Sequence, residues 1–107
     1  MFFHKELTKE KWQGLPFFDQ MANIGAEIGR TINWRGKDNE LSGAALYRGL
    51  ELLDLTIGDK KNKSKLKELC RLKEVLADYF CFDNIYASSD QIWNNYFYGF
   101  NYAAVLK

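Results

Sequence analysis

The sequence predicts an all-α protein, an up-down four-helix bundle with a short N-terminal arm. Apolar residues recur at three- and four-residue spacing through four long segments, short polar links divide those segments, and no stretch alternates as a strand would. The 107 residues suit one domain, residues 1–107, and are enough for one hydrophobic core. At 47% hydrophobic and 27% charged, the chain is too apolar for a disordered one.

Residues 1–15 are expected to form the arm, with Trp12 and Leu15 folding back as an apolar clasp around a turn at Gly14. Pro16 suits the first turn of a helix, where its missing N–H is not needed. Helix one is expected from Pro16 to Asn33, because Phe17, Met21, Ile24, Ile28 and Ile32 make one apolar stripe. Asp19 near its start and Arg30 near its end suit the macrodipole. Beside the stripe run Ala22, Gly25, Ala26 and Gly29. Each glycine costs about 1 kcal/mol relative to alanine in a helix, so a closely packed neighbour should compensate. Helix two is the expected neighbour.

Trp34 and the polar run Arg35–Asn39 end helix one. Helix two should begin near Asn39 or Ser42 and end at Gly58. Leu46, Leu50, Leu53 and Ile57 give its core line, and Leu41, Ala45, Leu52 and Leu55 widen it. Helix three should span Ser64 to Phe80 after the charged link Asp59–Lys63, capped by Ser64 or Asn62, with Leu66, Leu69, Leu72, Leu76 and Tyr79 inward and Asp78 outward. After the non-periodic linker Phe82–Ala87, Ser88-Ser89-Asp90 signals the start of helix four, which runs to Leu106.

Composition excludes several functions. The formal net charge is +1, so no global field draws nucleic acid or an anionic membrane. No window reaches the roughly 18 apolar residues of a membrane span, and the first residues lack the apolar core of a signal peptide. A cytoplasmic protein with no membrane partner is expected. Cys70 and Cys81 are expected to be reduced, partly buried thiols.

Four groups of residues invite a chemical reading. Glu27, Arg30, Arg48, Glu51 and Asp54 are expected to form a polar network between helices one and two. The sharper reading is a metal site: paired carboxylates such as Glu51-x-x-Asp54 hold Mg²⁺ and a polyphosphate in the all-α nucleoside-triphosphate pyrophosphatases. Here helix one offers Glu27 alone, with Ile24 and Arg30 where a second acid would stand, and neither metal nor cofactor is expected. Helical ribonucleases of the HEPN kind need an arginine shortly before a histidine; the single histidine, His4, has none. No serine or cysteine has a neighbouring histidine to activate it, so catalytic residues are not assigned.

Lys60, Lys61, Lys63, Lys65 and Lys67 oppose the macrodipole of helix three by a few tenths of a kcal/mol each. They are either a solvated patch or a nucleic-acid contact that would be salt-dependent and sequence-blind. The remaining group is aromatic. Helix four places six rings in ten residues, and Trp93, Tyr98 and Tyr102 are candidates for an interface. Trp93, Phe97 and Phe100 also fit its core face, while Tyr98 and Tyr102 point elsewhere.

The segments Ala22–Glu27, Leu50–Thr56 and Leu69–Phe80 resemble a small uncharacterised prokaryotic all-α protein family, over roughly Phe17 to Ala104. That resemblance implies the fold and carries no activity. Asn23-Ile24-Gly25-Ala26-Glu27 is also similar, with one extra residue before the glutamate, to the first-helix segment of four-helix-bundle proteins encoded in ribosomal intervening sequences. Retroelement accessory proteins share that segment. The resemblance implies a ring-forming bundle with a basic nucleic-acid surface. Taken together, the sequence favours a non-catalytic, self-associating interaction or scaffold protein. The alternatives are a nucleic-acid-binding accessory protein using the lysines and a Mg²⁺-dependent nucleotide hydrolase using Glu27, Glu51 and Asp54.

Overall fold

The computed structural model describes residues 9–106, with side chains through Ala104. His4 and the rest of residues 1–8 lie outside it. A short helix α1 (Lys9–Gln13) precedes α2 (Phe17–Trp34) and α3 (Asn39–Ile57); a 3-10 turn over Lys60–Lys65 then leads into α4 (Leu66–Cys81) and α5 (Asp90–Leu106). The segments read as helices one to four are α2 to α5. The described residues contain no strand.

The long apolar stripe makes α2 the hub. Met21, Ile24 and Ile28 are fully buried, and α2 packs against both α3 and α5. Leu52 and Leu53 of α3, Leu69, Leu72 and Leu76 of α4, and Trp93 and Phe97 of α5 complete the core. Each such side chain contributes about 1.5–3 kcal/mol on burial. α3 carries α4 on its other side, but α4 and α5 make few close backbone approaches. A groove of about 400 Å³, lined by Leu72, Val75, Ile92, Trp93 and Tyr96, separates them.

The helix ends explain the boundaries. α3 begins at Asn39, the earlier of the two expected starts, and Asp38 caps it: its carboxylate accepts the N–H groups of Glu40 and Leu41 at 3.1 Å each. Ser42 lies inside the helix and donates its hydroxyl to the Thr31 carbonyl at 2.8 Å. At α5, Ser89 accepts the Ile92 N–H at 3.2 Å, as the Ser-Ser-Asp signal implies.

Several local expectations change; Leu66 of α4, expected inward, is exposed. The most buried line of α3 is Ser42, Ala45, Gly49, Leu52, Leu53 and Thr56, whereas Leu46, Leu50 and Ile57 are half-buried and Leu41 is exposed. Small residues let α3 lie close against α2, and that turns the larger leucines aside. The charged link Asp59–Lys63 is a structured turn capped by Asp59. The cap expected at Asn62 is not found, and Asn62 is buried instead. Cys70 and Cys81 are exposed free thiols; each follows an inward residue by one position, which on a helix turns it about 100° away. Asp78 is buried, because its carboxylate accepts the N–H groups of Ile85 and Tyr86 at 3.0 and 3.1 Å and folds the α4–α5 loop back.

Candidate interaction surface

The small-residue stripe of α2 faces α5, not α3. A Cβ on Gly25 would stand 2.7 Å from Phe97 Cβ, a distance real Cβ atoms do not show. Gly25 therefore sets the α2–α5 spacing. Along the seam, Ala22, Ala26 and Gly29 on α2 and Asn94, Tyr98 and Asn101 on α5 line a groove of about 230 Å³. A Cβ on Gly29 would meet nothing within 4 Å, so the groove is open there.

Beside this groove stand Tyr98 and Tyr102. They are 67% and 56% exposed, and their rings stack nearly parallel with centroids 6.3 Å apart. Their spacing of four residues puts both on one side of α5. Trp93, the third candidate on this helix, belongs to the core, although its ring nitrogen has no hydrogen-bond partner there. Tyr96 is half-buried, and burial, helped by the charge of Glu68, pushes its phenol up to about 12.

The close α2–α3 contact sits elsewhere, at Gly49. A Cβ there would lie 3.2 Å from Ile28 Cδ1 and 3.4 Å from Glu27 Cβ. Glu27 is buried at this crossing and its Oε1 lies 3.1 Å from Arg30 and 3.4 Å from Arg48. The other two acids are not brought to it. Asp54 pairs with Lys73 of α4 at 2.6 Å, and one carboxylate oxygen of Glu51 is buried with no hydrogen-bond partner. Among the described residues, no group of three or more His, Cys, Asp or Glu is placed to hold a metal ion.

The lysine run divides in two. Lys61 binds the Asp59 carboxylate and donates to the Gln13 carbonyl at 2.9 Å, while Lys65 lies 4.7 Å over the Phe17 ring. Lys60, Lys63 and Lys67 are exposed and form no ion pair among the described residues.

Two polar clusters escaped the sequence reading. In one, Trp12 donates to Thr56 Oγ1, Gln20 donates to the Trp12 carbonyl and to Asp59, and Asn62 donates to Gln20 Oε1 and the Thr56 carbonyl, all at 3.0 or 3.1 Å. This node fastens α1 to the base of α2 and α3, which is how the Trp12 clasp works. Burial alone would raise the Asp59 carboxyl, but the hydrogen bonds from Lys61 and Gln20 prevail and hold it below the ordinary value. In the other, Arg35 and Tyr79 both hydrogen-bond Asp90 Oδ1, with the Arg35 guanidinium over the Tyr79 and Phe80 rings. That cluster ties the α2–α3 link to the start of α5. One signal for the first node was present: Gln20, like Glu27 and Thr31, is a polar residue on the apolar stripe of α2.

No family model, no curated protein and no solved structure matches this chain. Among the described residues, no helix is long and apolar enough to cross a membrane.

Proposed function

We propose that this chain is a non-catalytic interaction protein that self-associates through the α2–α5 face. The observation that carries the reading is the exposed, stacked pair Tyr98 and Tyr102 beside the open groove at Gly29. Tyrosine brings large apolar area with a polar tip and little entropy to lose, which suits it to interfaces. The groove and the rings lie on one continuous face, which is the arrangement a two-fold contact between copies requires. The tyrosines of one copy enter the small-residue groove of a second, and the same contact repeats in reverse around a two-fold axis.

Such an interface is mainly apolar and should persist in salt. At about 0.5 M NaCl, where the screening length is about 4 Å, the mass in solution should rise with concentration toward twice the 12.5 kDa of one chain. Replacing both tyrosines, Tyr98→Ala with Tyr102→Ala, should weaken that rise by a large factor while leaving the melting temperature of the dilute chain nearly unchanged. A strict monomer at high concentration contradicts the reading.

A further inference from the structure

The most exposed large apolar side chains described are not on α5. Ile85 and Phe82, in the α4–α5 loop, are 77% and 74% exposed. They line a groove of about 350 Å³ together with Glu74, Asp83 and Tyr86, and no basic side chain lines it. The loop is also held in one shape. Asp78 accepts two of its N–H groups, Asn84 exchanges two hydrogen bonds with Ser88, and Tyr86 donates to Glu74. Little ordering entropy would be lost when this surface meets a partner.

The opposite end of α4 carries the complementary chemistry. Lys60, Lys63 and Lys67 are exposed and without ion pairs among the described residues, and Leu66, 42% exposed, lies among them. The 16 residues of α4 separate the two ends by about 24 Å. Lys67 and the lysines just before α4 oppose the macrodipole at its start, so their placement does not serve this helix's own stability. It suits a contact between the ends of two different molecules.

We propose that the α4–α5 loop of one copy receives the Lys60–Lys67 corner of a second copy, head to tail. Phe82 and Ile85 meet Leu66, and Asp83 and Glu74 meet Lys63 and Lys67. The contact joins two different surfaces, so it does not close on itself with two copies and extends into a series. It is independent of the α5 interface and, being charge-paired, is the salt-sensitive one of the two.

The test uses the full chain carrying Tyr98→Ala and Tyr102→Ala, so that association through α5 cannot contribute. Two derivatives are made from it, one with Glu74→Lys and Asp83→Lys, the other with Lys63→Glu and Lys67→Glu. Thermal melts establish that each is folded; should the first lose its loop because Glu74 binds Tyr86, Asp83→Lys alone replaces it. Each derivative by itself should sediment as a monomer at low salt. An equimolar mixture restores the pairing that neither derivative can make alone, because the native acidic loop of the second meets the native lysine corner of the first. The mixture should therefore form mixed assemblies, one-to-one in composition, that dissociate at about 0.5 M NaCl. A mixture that remains monomeric at low salt overturns the proposal. So does a parent chain that stays monomeric at low salt yet binds an RNA or DNA oligonucleotide through Lys60, Lys63 and Lys67, since the corner then serves nucleic acid instead. Neither result bears on the α5 interface, which is read at high salt in the chain with its tyrosines intact.

Discussion

Gly25 of α2 and Phe97 of α5 are in the tightest helix contact found at any glycine of the chain, the added Cβ falling 2.7 Å from Phe97 Cβ and 2.9 Å from its ring. The contact fixes how closely α5 lies on α2. It therefore also fixes the shape of the groove beside Tyr98. Gly29, one turn further along α2, is free of any such contact.

Gly25→Ala and Gly29→Ala should therefore act in opposite directions. At Gly25 the obstacle is Phe97 Cβ, which sits on the backbone and cannot swing away. Overpacking of about 1–3 kcal/mol outweighs the gain in helix propensity of about 1 kcal/mol. The melting temperature should fall by several degrees. At Gly29 only the propensity gain operates, and the melting temperature should rise by a few degrees. Thermal melts of the dilute chain check both.

Glu27 and Arg48 offer a second comparison. Arg48 is largely buried against Glu27, whereas Arg30 is half exposed and can turn to water. Glu27→Ala should destabilise the chain by about 1–3 kcal/mol, because it removes the buried carboxylate that Arg48 and Arg30 both face. In a double-mutant cycle with Arg48→Met the coupling should be about 1–3 kcal/mol, and with Arg30→Met below about 0.5 kcal/mol. Urea titrations give both numbers.

The polar node around Asp59 should contribute to the acid limb of stability. Its folded carboxyl is more acidic than in the unfolded chain, where the ordinary value is 3.8. The folded state thus binds the proton less tightly. The stability this contributes is fully present above the unfolded value and is lost as pH falls through the lower folded one. Asp59→Asn should cost about 2 kcal/mol near neutral pH and flatten the loss of stability below about pH 4. Urea midpoints measured from neutral to acid pH test this.

Tyr96 should govern the alkaline limb. Burial keeps its phenol protonated to about 12 in the folded chain, while an unfolded tyrosine ionises near 10. Here the folded value is raised, so the stabilisation is complete below the unfolded value and is lost as pH climbs through the folded one. Tyr96→Phe should remove that part of the decline between about pH 10 and about pH 12. Phenolate absorbance should show one late-titrating tyrosine in the parent that the variant lacks.

The large side chains made the architecture legible. Met21, Ile24 and Ile28 at helical spacing marked α2, and Tyr98 with Tyr102 stood off the core line of α5 in the sequence just as they do in the fold. Small and polar residues hid the rest. Gly49 is an isolated glycine in a leucine-rich helix, and nothing local shows that its missing Cβ admits Glu27 and Ile28. Gln20, Thr56, Asp59 and Asn62 are polar types normally found at the surface. They become buried because partners up to 44 residues distant satisfy them. Sequence spacing groups Glu51 and Asp54 with Glu27, but α4 supplies Lys73 and draws Asp54 away from Glu27. Periodicity reports which face a residue shares, not which helix that face meets.

The central claim is that Tyr98 and Tyr102 join two copies of the chain. Sedimentation equilibrium at about 0.5 M NaCl, where charge-paired contacts are screened, isolates that interface. The parent chain should show a concentration-dependent mass approaching twice 12.5 kDa, and the Tyr98→Ala, Tyr102→Ala chain should remain near 12.5 kDa over the same range. A parent that stays at the monomer mass, or two chains whose masses rise identically, would contradict the account.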